Sequence, residues 1–311
     1  YYAWQVYFDS GTKKKYDQYR YDGLSVRPVY ESEEIGGEIE PGDVKIENGA
    51  IQAAFSVSAD KQVYFSMGNL QYQASTGLWR FAENQYDMIK GDNGNISETY
   101  EGWIDLFGWG TSGWNSGANA YQPYSTSSNY FDYYVGGSYS NSLTGSYANA
   151  DWGVYNKISN GGNQSEMWRT LTKDEWYYLI NNRPNADKLY SQGSVDGVTG
   201  FIILPDNWTV PSTISFTHQA GNWIKNSYSL DKWNVMQSYG AVFLPGAGMR
   251  SNTNWTCFSI GDGSYWSSSC DDIENENSEF NAYSMYFNNY SVTADSRSNR
   301  RMGCSVRLVR D

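Results

Sequence analysis

The two ends of this chain carry the same pattern of residues, and this repeat limits what the chain can fold into. Between shared positions the two copies differ, mostly in polar residues and tyrosine, which predicts a fixed frame presenting a changeable surface. The spacing from the shared phenylalanine to the shared glycine is 15 residues in one copy and 16 in the other. The shared positions are Ala3, Tyr7, Phe8, Gly23, Ser25, Val26, Arg27 and Val29 in residues 2–30, which match Ala282, Tyr286, Phe287, Gly303, Ser305, Val306, Arg307 and Val309 in residues 281–310.

The repeat also predicts the domain organisation. We expect residues 1–30 to be the C-terminal strands of a preceding, truncated copy, because the sequence begins within the pattern. Residues 31–50 are acidic and rich in glycine, which is typical of an extended linker. Residues 51–311 are then expected to form one complete domain.

Composition and charge narrow the classes of function. The net charge of −12 argues against a nucleic-acid partner, because binding to phosphates requires a basic surface. The chain has 28 Tyr and 13 Trp but only 18% charged residues, a profile that favours a loop-rich extracellular protein. No stretch approaches the roughly 20 apolar residues of a membrane-spanning helix.

The three cysteines, Cys257, Cys270 and Cys304, show no spacing typical of a metal site. One disulfide in an oxidising compartment and three free thiols are both compatible with the sequence. We predict no cofactor.

Helix signals occur in three places. Thr172 and Glu175 form a capping box at the start of a helix over 173–182, which ends before Pro184. Weaker signals predict helices that begin at Asp151 and near Leu230.

Short strand signals recur through the rest of the domain, so two or three helices in a strand- and loop-rich chain predict an α+β fold. Residues 62–73 alternate around a Gly-Asn pair and predict a hairpin. Residues 108–150 contain few aliphatic side chains and predict a long exposed loop. Further strands are expected at 78–82, 201–205, 241–245, 265–269, 282–287 and 304–309.

Several motifs resemble a known family. They include FSVSADKQVYFSMGNLQYQ, GWIDLFGWGTSG, DWGVYNKISNGGNQ, MWRTLTKDEWYYL, GAVFLPGAGMR, YWSSS and GCSVRLVR. Over residues 51–311 the chain resembles a cell-surface family of gut Bacteroidetes related to the Fibrobacter major paralogous domain. The resemblance implies a C-type lectin-like fold of the formylglycine-generating-enzyme type, with short antiparallel strands, two or three helices and long loops. Some relatives are similar to variable proteins of diversity-generating retroelements, and the sequence leaves open whether this gene belongs to such a cassette.

Residues that could support catalysis have simpler explanations. Cys270 and Cys304 lie roughly where the enzymatic relatives carry a cysteine pair, but the repeat has Leu24 in place of Cys304. His218 is the single histidine of the chain and lies in a polar segment. Asp105, Asp151, Asp174 and Glu175 could act as paired carboxylates, although capping and helix initiation account for the last three. We therefore predict that the protein is not an enzyme.

Recognition is the function that the sequence favours. Along 283–288, alternation places Tyr283, Met285 and Phe287 inward and the residues between them outward. Mixed aromatic and hydrogen-bonding side chains are typical of binding surfaces. The expected ligand-binding residues are Asp271, Asp272, Ser284, Tyr286, Asn288, Asn289, Tyr290, Arg297, Asn299 and Arg300.

We thus expect an extracellular or outer-membrane surface protein of a bacterium that binds a glycan or a surface protein. Two alternatives are kept. The first is a structural or fibre-associated protein without a small ligand, and the second is an oxidase of the formylglycine-generating type. A dense acidic run, Asp271, Asp272, Glu274, Glu276 and Glu279, is interpreted as a solvated loop rather than a cation site.

Overall fold

A computed structural model describes residues 2–8, 13–19, 42–94, 97–114, 122–123, 127–251, 257–272 and 278–311. The chain divides into two units, Tyr1–Glu38 and Ile39–Asp311. In the first unit, strands β1 (Tyr2–Phe8) and β2 (Lys13–Tyr19) pair in antiparallel register from Tyr2 opposite Tyr19 to Phe8 opposite Lys13. Residues 20–30 of the expected first copy and 31–41 of the expected linker lie outside the described residues.

The second unit is built mainly from short strands. They are β3 (Ile46–Glu47), β4 (Ala50–Ile51), β5 (Phe55–Ser56), β6 (Gln62–Phe65), β7 (Leu70–Gln73), β8 (Leu78–Phe81), β9 (Arg169–Thr170), β10 (Tyr190–Val195), β11 (Val198–Ile203), β12 (Ser227–Tyr228), β13 (Val242–Pro245), β14 (Met249–Arg250), β15 (Cys257–Phe258), β16 (Gly263–Cys270), β17 (Asn281–Phe287), β18 (Val292–Asn299) and β19 (Leu308–Arg310).

These strands form small sheets with mostly antiparallel pairing. Two sheets have four strands, in the orders β5-β6-β19-β9 and β12-β10-β11-β13, and the sheet β16-β17-β18 has three. The pairs β3-β4, β7-β8 and β14-β15 form two-stranded ribbons. Only β10 and β12 pair in parallel among the named strands. Together with the helices below, this arrangement confirms the predicted α+β class.

The three predicted helices are present at the predicted positions. They are α1 (Trp152–Tyr155), α2 (Lys173–Tyr177), continued by a π-helical turn at Tyr178–Asn182, and α3 (Leu230–Ser238). The capping box of Thr172 and Glu175 forms as predicted, and Asp151 accepts a hydrogen bond from the backbone of Gly153 at the start of α1. Short 3₁₀ helices span Lys90–Gly94, Tyr130–Tyr133, Val135–Gly137, Gly145–Ala150, Ala186–Lys188 and Ser278–Phe280.

The sheet β16-β17-β18 separates two hydrophobic cores. On one side, Trp266 and Ala282 join a core dominated by tryptophans that include Trp109 and Trp152. On the other side, Met285 and Phe287 join a core that contains β5, β6 and α2. A third core surrounds α3. The middle of this sheet is therefore buried on both faces.

Three expectations about local structure were wrong. Residues 62–73 do not form a hairpin, because β6 pairs with β5 and β19 while β7 pairs with β8. The expected linker over residues 31–50 was set too long at its C-terminal end. Asn48 and Gly49 form the two-residue turn of the β3-β4 hairpin, and Ala50 is buried. Both turn residues have positive φ, which is typical of the Asn-Gly hairpin turn.

The third concerns residues 108–150, which were expected to be an exposed loop. The described part of this segment contains three of the 3₁₀ helices and contributes Trp109, Tyr133, Val135 and Leu143 to the interior. Aromatic side chains supply the apolar surface that the segment lacks in aliphatic residues.

The hairpin formed by β17 and β18 corresponds to β1 and β2 in the repeat. In both hairpins, four residues separate the two strands, between Phe8 and Lys13 and between Phe287 and Val292. The register of the second hairpin shifts by one between the pairs Ser284–Ser296 and Tyr286–Thr293, so β18 has one extra residue there. This bulge accounts for the additional residue in the phenylalanine-to-glycine spacing of the second copy.

Candidate functional site

Most of the predicted site residues lie on or beside the hairpin of β17 and β18, but three of them are buried. Ser284 was expected to face outward and is fully buried. Its hydroxyl is 2.9 Å from that of Ser298, which in turn is 3.3 Å from that of Ser264. Because hydrophobic cores cover both faces of the sheet at this point, the alternation of side chains along β17 does not distinguish solvent-facing residues from buried ones.

Arg300 is the second correction, since its guanidinium is fully buried rather than displayed. It lies over the rings of Trp109 and Tyr134, 4.6 and 5.6 Å from their centroids. Its Nε donates to the carbonyl of Asn281 and its Nη2 to the carbonyl of Tyr139. Burial lowers the pKa of Arg300 to about 10. Arg300 thus fastens the segment around Tyr139 to the base of the hairpin.

Asp271 is the third buried residue, and it belongs to a charged group around Tyr283. We call this group the Tyr283 network: Lys173, Asp271, Asp272, Tyr283 and Arg297. Tyr283 donates its hydroxyl to Asp272 at 2.8 Å, and Arg297 Nε lies 3.5 Å from Asp271 Oδ2.

Lys173 completes this network from the first turn of α2. Its Nζ lies 3.2 Å from Asp272 Oδ2 and 4.4 Å from the centroid of the Tyr283 ring. The hydrogen bond from Tyr283 and the ion pair with Lys173 lower the pKa of Asp272. Two carboxylates and two cations therefore neutralise one another, which makes the network a junction between α2 and the hairpin.

The remaining predicted residues gather at the turn of the hairpin. Asn288 fixes this turn, because its Oδ1 accepts hydrogen bonds from the backbone of Tyr290 and Ser291 at 2.8 and 2.9 Å. Tyr286 donates its hydroxyl to Asp262 at 3.0 Å. The side chain of Tyr290 is 81% exposed.

A second loop supports the turn. Asn289 Oδ1 accepts a hydrogen bond from the backbone of Trp223 at 3.0 Å, and the Trp223 ring packs edge-on against Phe287 at 6.2 Å. The next residue, Ile224, is 84% exposed. We call the group Tyr286, Asn288, Asn289, Tyr290, Trp223 and Ile224 the tip surface.

Asn299, the last of the predicted residues, lies at the opposite end of β18. It is partly buried and accepts hydrogen bonds from the backbone and Nε of Arg301, both at 3.2 Å. Arg301 in turn donates to the carbonyl of Ser128. Asn299 thus orients Arg301 toward the segment that begins at residue 127.

Sequence reasoning missed Lys173, Tyr283, Asp262, Trp223 and Ile224. Lys173 and Trp223 lie far from the hairpin in the chain, so no local spacing indicates that they meet it. Tyr283 was assigned to the interior. This is correct for its ring but overlooks its hydroxyl, which donates a hydrogen bond to Asp272. A signal was available for Asp262, because an acidic residue in a glycine-rich segment is expected at the surface, whereas an isoleucine such as Ile224 is expected in the interior.

The two cysteines with described side chains are free thiols in separate surroundings. Burial raises the pKa of the Cys304 thiol to about 12, although Ser264 and Ser298 hydrogen-bond to it. Cys270 Sγ lies 3.1 Å from the carbonyl of Ser140. The side chain of Cys257 and the acidic residues Glu274 and Glu276 lie outside the described residues.

The candidates for catalysis have structural partners. Asp105 accepts hydrogen bonds from Asn93 Nδ2 and the backbone of Ile89 at 2.7 and 3.0 Å, and Glu175 forms a two-pronged ion pair with Arg169. His218 is exposed and packs edge-on against Phe216. In the described ranges, no group of three or more His, Cys, Asp or Glu could hold a metal ion.

A groove of about 370 Å³ lies beside α2, and none of the expected ligand-binding residues lines it. Its lining includes Asp174, Tyr177, Tyr178 and Ser58.

Comparisons with known proteins add no relative. No family model, curated protein or solved structure matches the chain. Within the part of the chain that the structure describes, no helix is both long and apolar enough to cross a membrane. Any function must therefore be inferred from the sequence motifs and from the geometry of the hairpin and its surroundings.

Proposed function

We propose that this chain is the ligand-binding part of an extracellular bacterial surface protein with a C-type lectin-like fold, and that it acts by recognition rather than catalysis. The resemblance to the Bacteroidetes surface family supports the fold and location, together with the α+β arrangement of short antiparallel strands and few helices. The ligand is a glycan or a surface protein.

The observation that carries the proposal is the exposure of Tyr290 on a turn held by defined hydrogen bonds. Asn288 closes the turn and Asn289 binds it to the loop at Trp223, so the exposed ring is presented from a rigid support. An aromatic side chain with a polar end, surrounded by amide groups, offers contact area at a low cost in conformational entropy. An exposed large apolar residue, Ile224, extends the same surface.

The arrangement of buried and exposed residues also supports recognition. Positions that the two copies share are buried in the second copy, with only Tyr286 partly exposed, whereas Tyr290 falls at an unshared position. A frame that is preserved while the turn varies is suited to binding different ligands with one fold.

A binding screen tests this proposal. The chain would be screened against immobilised glycans and against surface proteins of bacteria and their hosts. For any ligand found, the double variant Tyr290→Ala and Ile224→Ala should bind at least about tenfold more weakly, as expected for the loss of central contacts. Tyr177→Ala removes a ring on α2 that is 43% exposed and should leave the affinity unchanged. Equal binding by the double variant and the wild type would show that the ligand binds elsewhere.

A further inference from the structure

A second surface with aromatic character lies at the base of the hairpin, at the end opposite the tip surface. Five rings form a continuous series, which we call the ring cluster: Tyr130, Phe131, Tyr134, Tyr139 and Phe280. Tyr130 lies 4.4 Å from Phe280, edge to face, and 4.3 Å from Phe131. Tyr134 lies 5.3 Å from Phe131 and 6.0 Å from Tyr139.

Part of the ring cluster is open to solvent. Phe131 is 54% exposed and Tyr139 is 42% exposed, while Tyr134 between them is buried. The buried guanidinium of Arg300 stacks on Tyr134 and donates to the carbonyl of Tyr139, which holds this part of the cluster in place. The exposed rings thus have a rigid support. Because their exposed area is not removed from water, that area contributes little to the stability of the fold.

Hydrogen-bonding groups lie close to these rings. Asp132 accepts hydrogen bonds from the Ser127 hydroxyl and from Asn129 Nδ2. Arg301 donates to the carbonyl of Ser128, and the hydroxyls of Ser138 and Ser140 are 2.8 Å apart. Small polar groups therefore lie at the edge of an apolar surface.

The charges around the ring cluster balance. Among the described residues of this region, Asp132 and Glu279 are acidic and Arg300 and Arg301 are basic, while Asp271, which also lies near Arg300, is paired with Arg297. The described residues thus supply no net charge that would select an acidic or a basic partner. Charge complementarity therefore favours a neutral ligand.

We propose that the ring cluster binds a neutral oligosaccharide. A pyranose ring presents an apolar face of C–H groups that can pack flat against an aromatic ring, while its equatorial hydroxyls extend toward the edges. The exposed rings of Phe131 and Tyr139 pack against the apolar face of the sugar, and the serine, asparagine and aspartate groups hydrogen-bond to its hydroxyls. The site is distinct from the tip surface, because β17 spans about 23 Å between them at about 3.3 Å per residue.

The test titrates the whole chain with three neutral probes, cellohexaose, xylohexaose and mannohexaose, in a calorimeter. We expect the wild type to bind at least one hexasaccharide at millimolar concentration or below. The double variant Phe131→Ala and Tyr139→Ala should bind it at least tenfold more weakly, while Phe131→Tyr, which keeps the ring, should retain the affinity. Tyr155→Ala, which removes a comparably exposed ring elsewhere, should have no effect.

The result also separates this inference from the proposed function of the tip surface. Tyr290→Ala should leave hexasaccharide binding unchanged. The inference is overturned if none of the three probes binds the wild type, if the double variant binds as tightly as the wild type while its melting curve is unchanged, or if Tyr290→Ala abolishes sugar binding. It is also overturned if the two ring substitutions weaken only the binding of a protein ligand.

Discussion

At the scale of single residues, the positions shared by the two copies are those that the interior requires. Ala282, Phe287, Ser305, Val306 and Val309 are fully buried. The shared arginine is buried as well. Arg307 donates to Gln85 Oε1 at 2.7 Å, and Gln85 also accepts a hydrogen bond from the backbone of Phe243. The repeated pattern thus describes part of a core and its polar connections, whereas the most exposed residue of the hairpin turn, Tyr290, lies between shared positions.

A buried carboxylate gives a prediction at the same scale. Burial raises the pKa of Asp105 from its usual 3.8 to about 6, against the opposing effect of its hydrogen bonds. The folded state therefore binds a proton more tightly than the unfolded state, so this group's contribution to stability is present below pH 3.8 and is lost as the pH rises through 6.

We expect the difference in unfolding free energy between wild type and Asp105→Asn to shift by up to roughly 3 kcal/mol from about pH 4 to about pH 7. The wild type should lose relative stability as the pH rises. Asp151, whose pKa is also raised to about 6, titrates in both proteins and cancels in this comparison. Urea unfolding at the two pH values measures the difference, and a constant or opposite shift would show that Asp105 does not titrate in this range.

At the scale of secondary-structure elements, the C-terminal hairpin depends on close packing at its edge with β16. Gly263 pairs with Phe287, and a Cβ on Gly263 would lie 2.1 Å from the Phe287 ring. That ring is stacked near Phe201 and Tyr265, with centroids 5.4 and 6.0 Å away, and has little room to move. Glycine is therefore required here by the approach of a side chain.

Gly263→Ala should lower the free energy of unfolding by about 1–3 kcal/mol, because overpacking forces the Phe287 ring or the strand to shift. Gly91→Ala is the matched control, since a Cβ at that position meets no atom within 4 Å and should change stability by less than about 0.5 kcal/mol. Thermal and urea unfolding measure both variants. Equal stabilities would mean that the sheet accommodates the methyl group without strain.

How much of the structure the sequence could predict depended on whether the signal was local. The caps at Thr172 and Asp151 mark helices through hydrogen bonds to nearby residues, and these helices were confirmed. The strand at 78–82 was also present as β8. The partners of β6 were missed, because β19 lies more than 200 residues away. The Asn48-Gly49 turn was missed although its signal is local.

The candidate site shows the same limit. Alternation correctly placed Met285 and Phe287 in the interior, since both are fully buried. It failed at Ser284 because a second core covers the opposite face of the sheet. A strand buried on both faces is expected to show a continuous apolar run, and the buried serines Ser284 and Ser267 interrupt that signal in β17 and the adjacent β16.

At the scale of the whole molecule, the structure separates parts that hold the fold from parts that face solvent. The second unit, Ile39–Asp311, contains the hydrophobic cores, the Tyr283 network and both proposed binding surfaces. The tip surface and the ring cluster are carried by opposite ends of the same hairpin, whose middle is enclosed by two cores. The account therefore predicts that binding and stability respond to different residues.

The most direct measurement compares Tyr290→Ala with Met285→Ala, in both stability and affinity for a ligand obtained from the screen. Met285→Ala removes fully buried volume and should lower the free energy of unfolding by about 2–5 kcal/mol. Below its melting temperature it should bind the ligand with nearly the affinity of the wild type. Tyr290→Ala should weaken binding by about tenfold or more and change stability by less than about 0.5 kcal/mol. A Tyr290→Ala variant that binds normally, or that unfolds as readily as Met285→Ala, would contradict the separation of frame and binding surface.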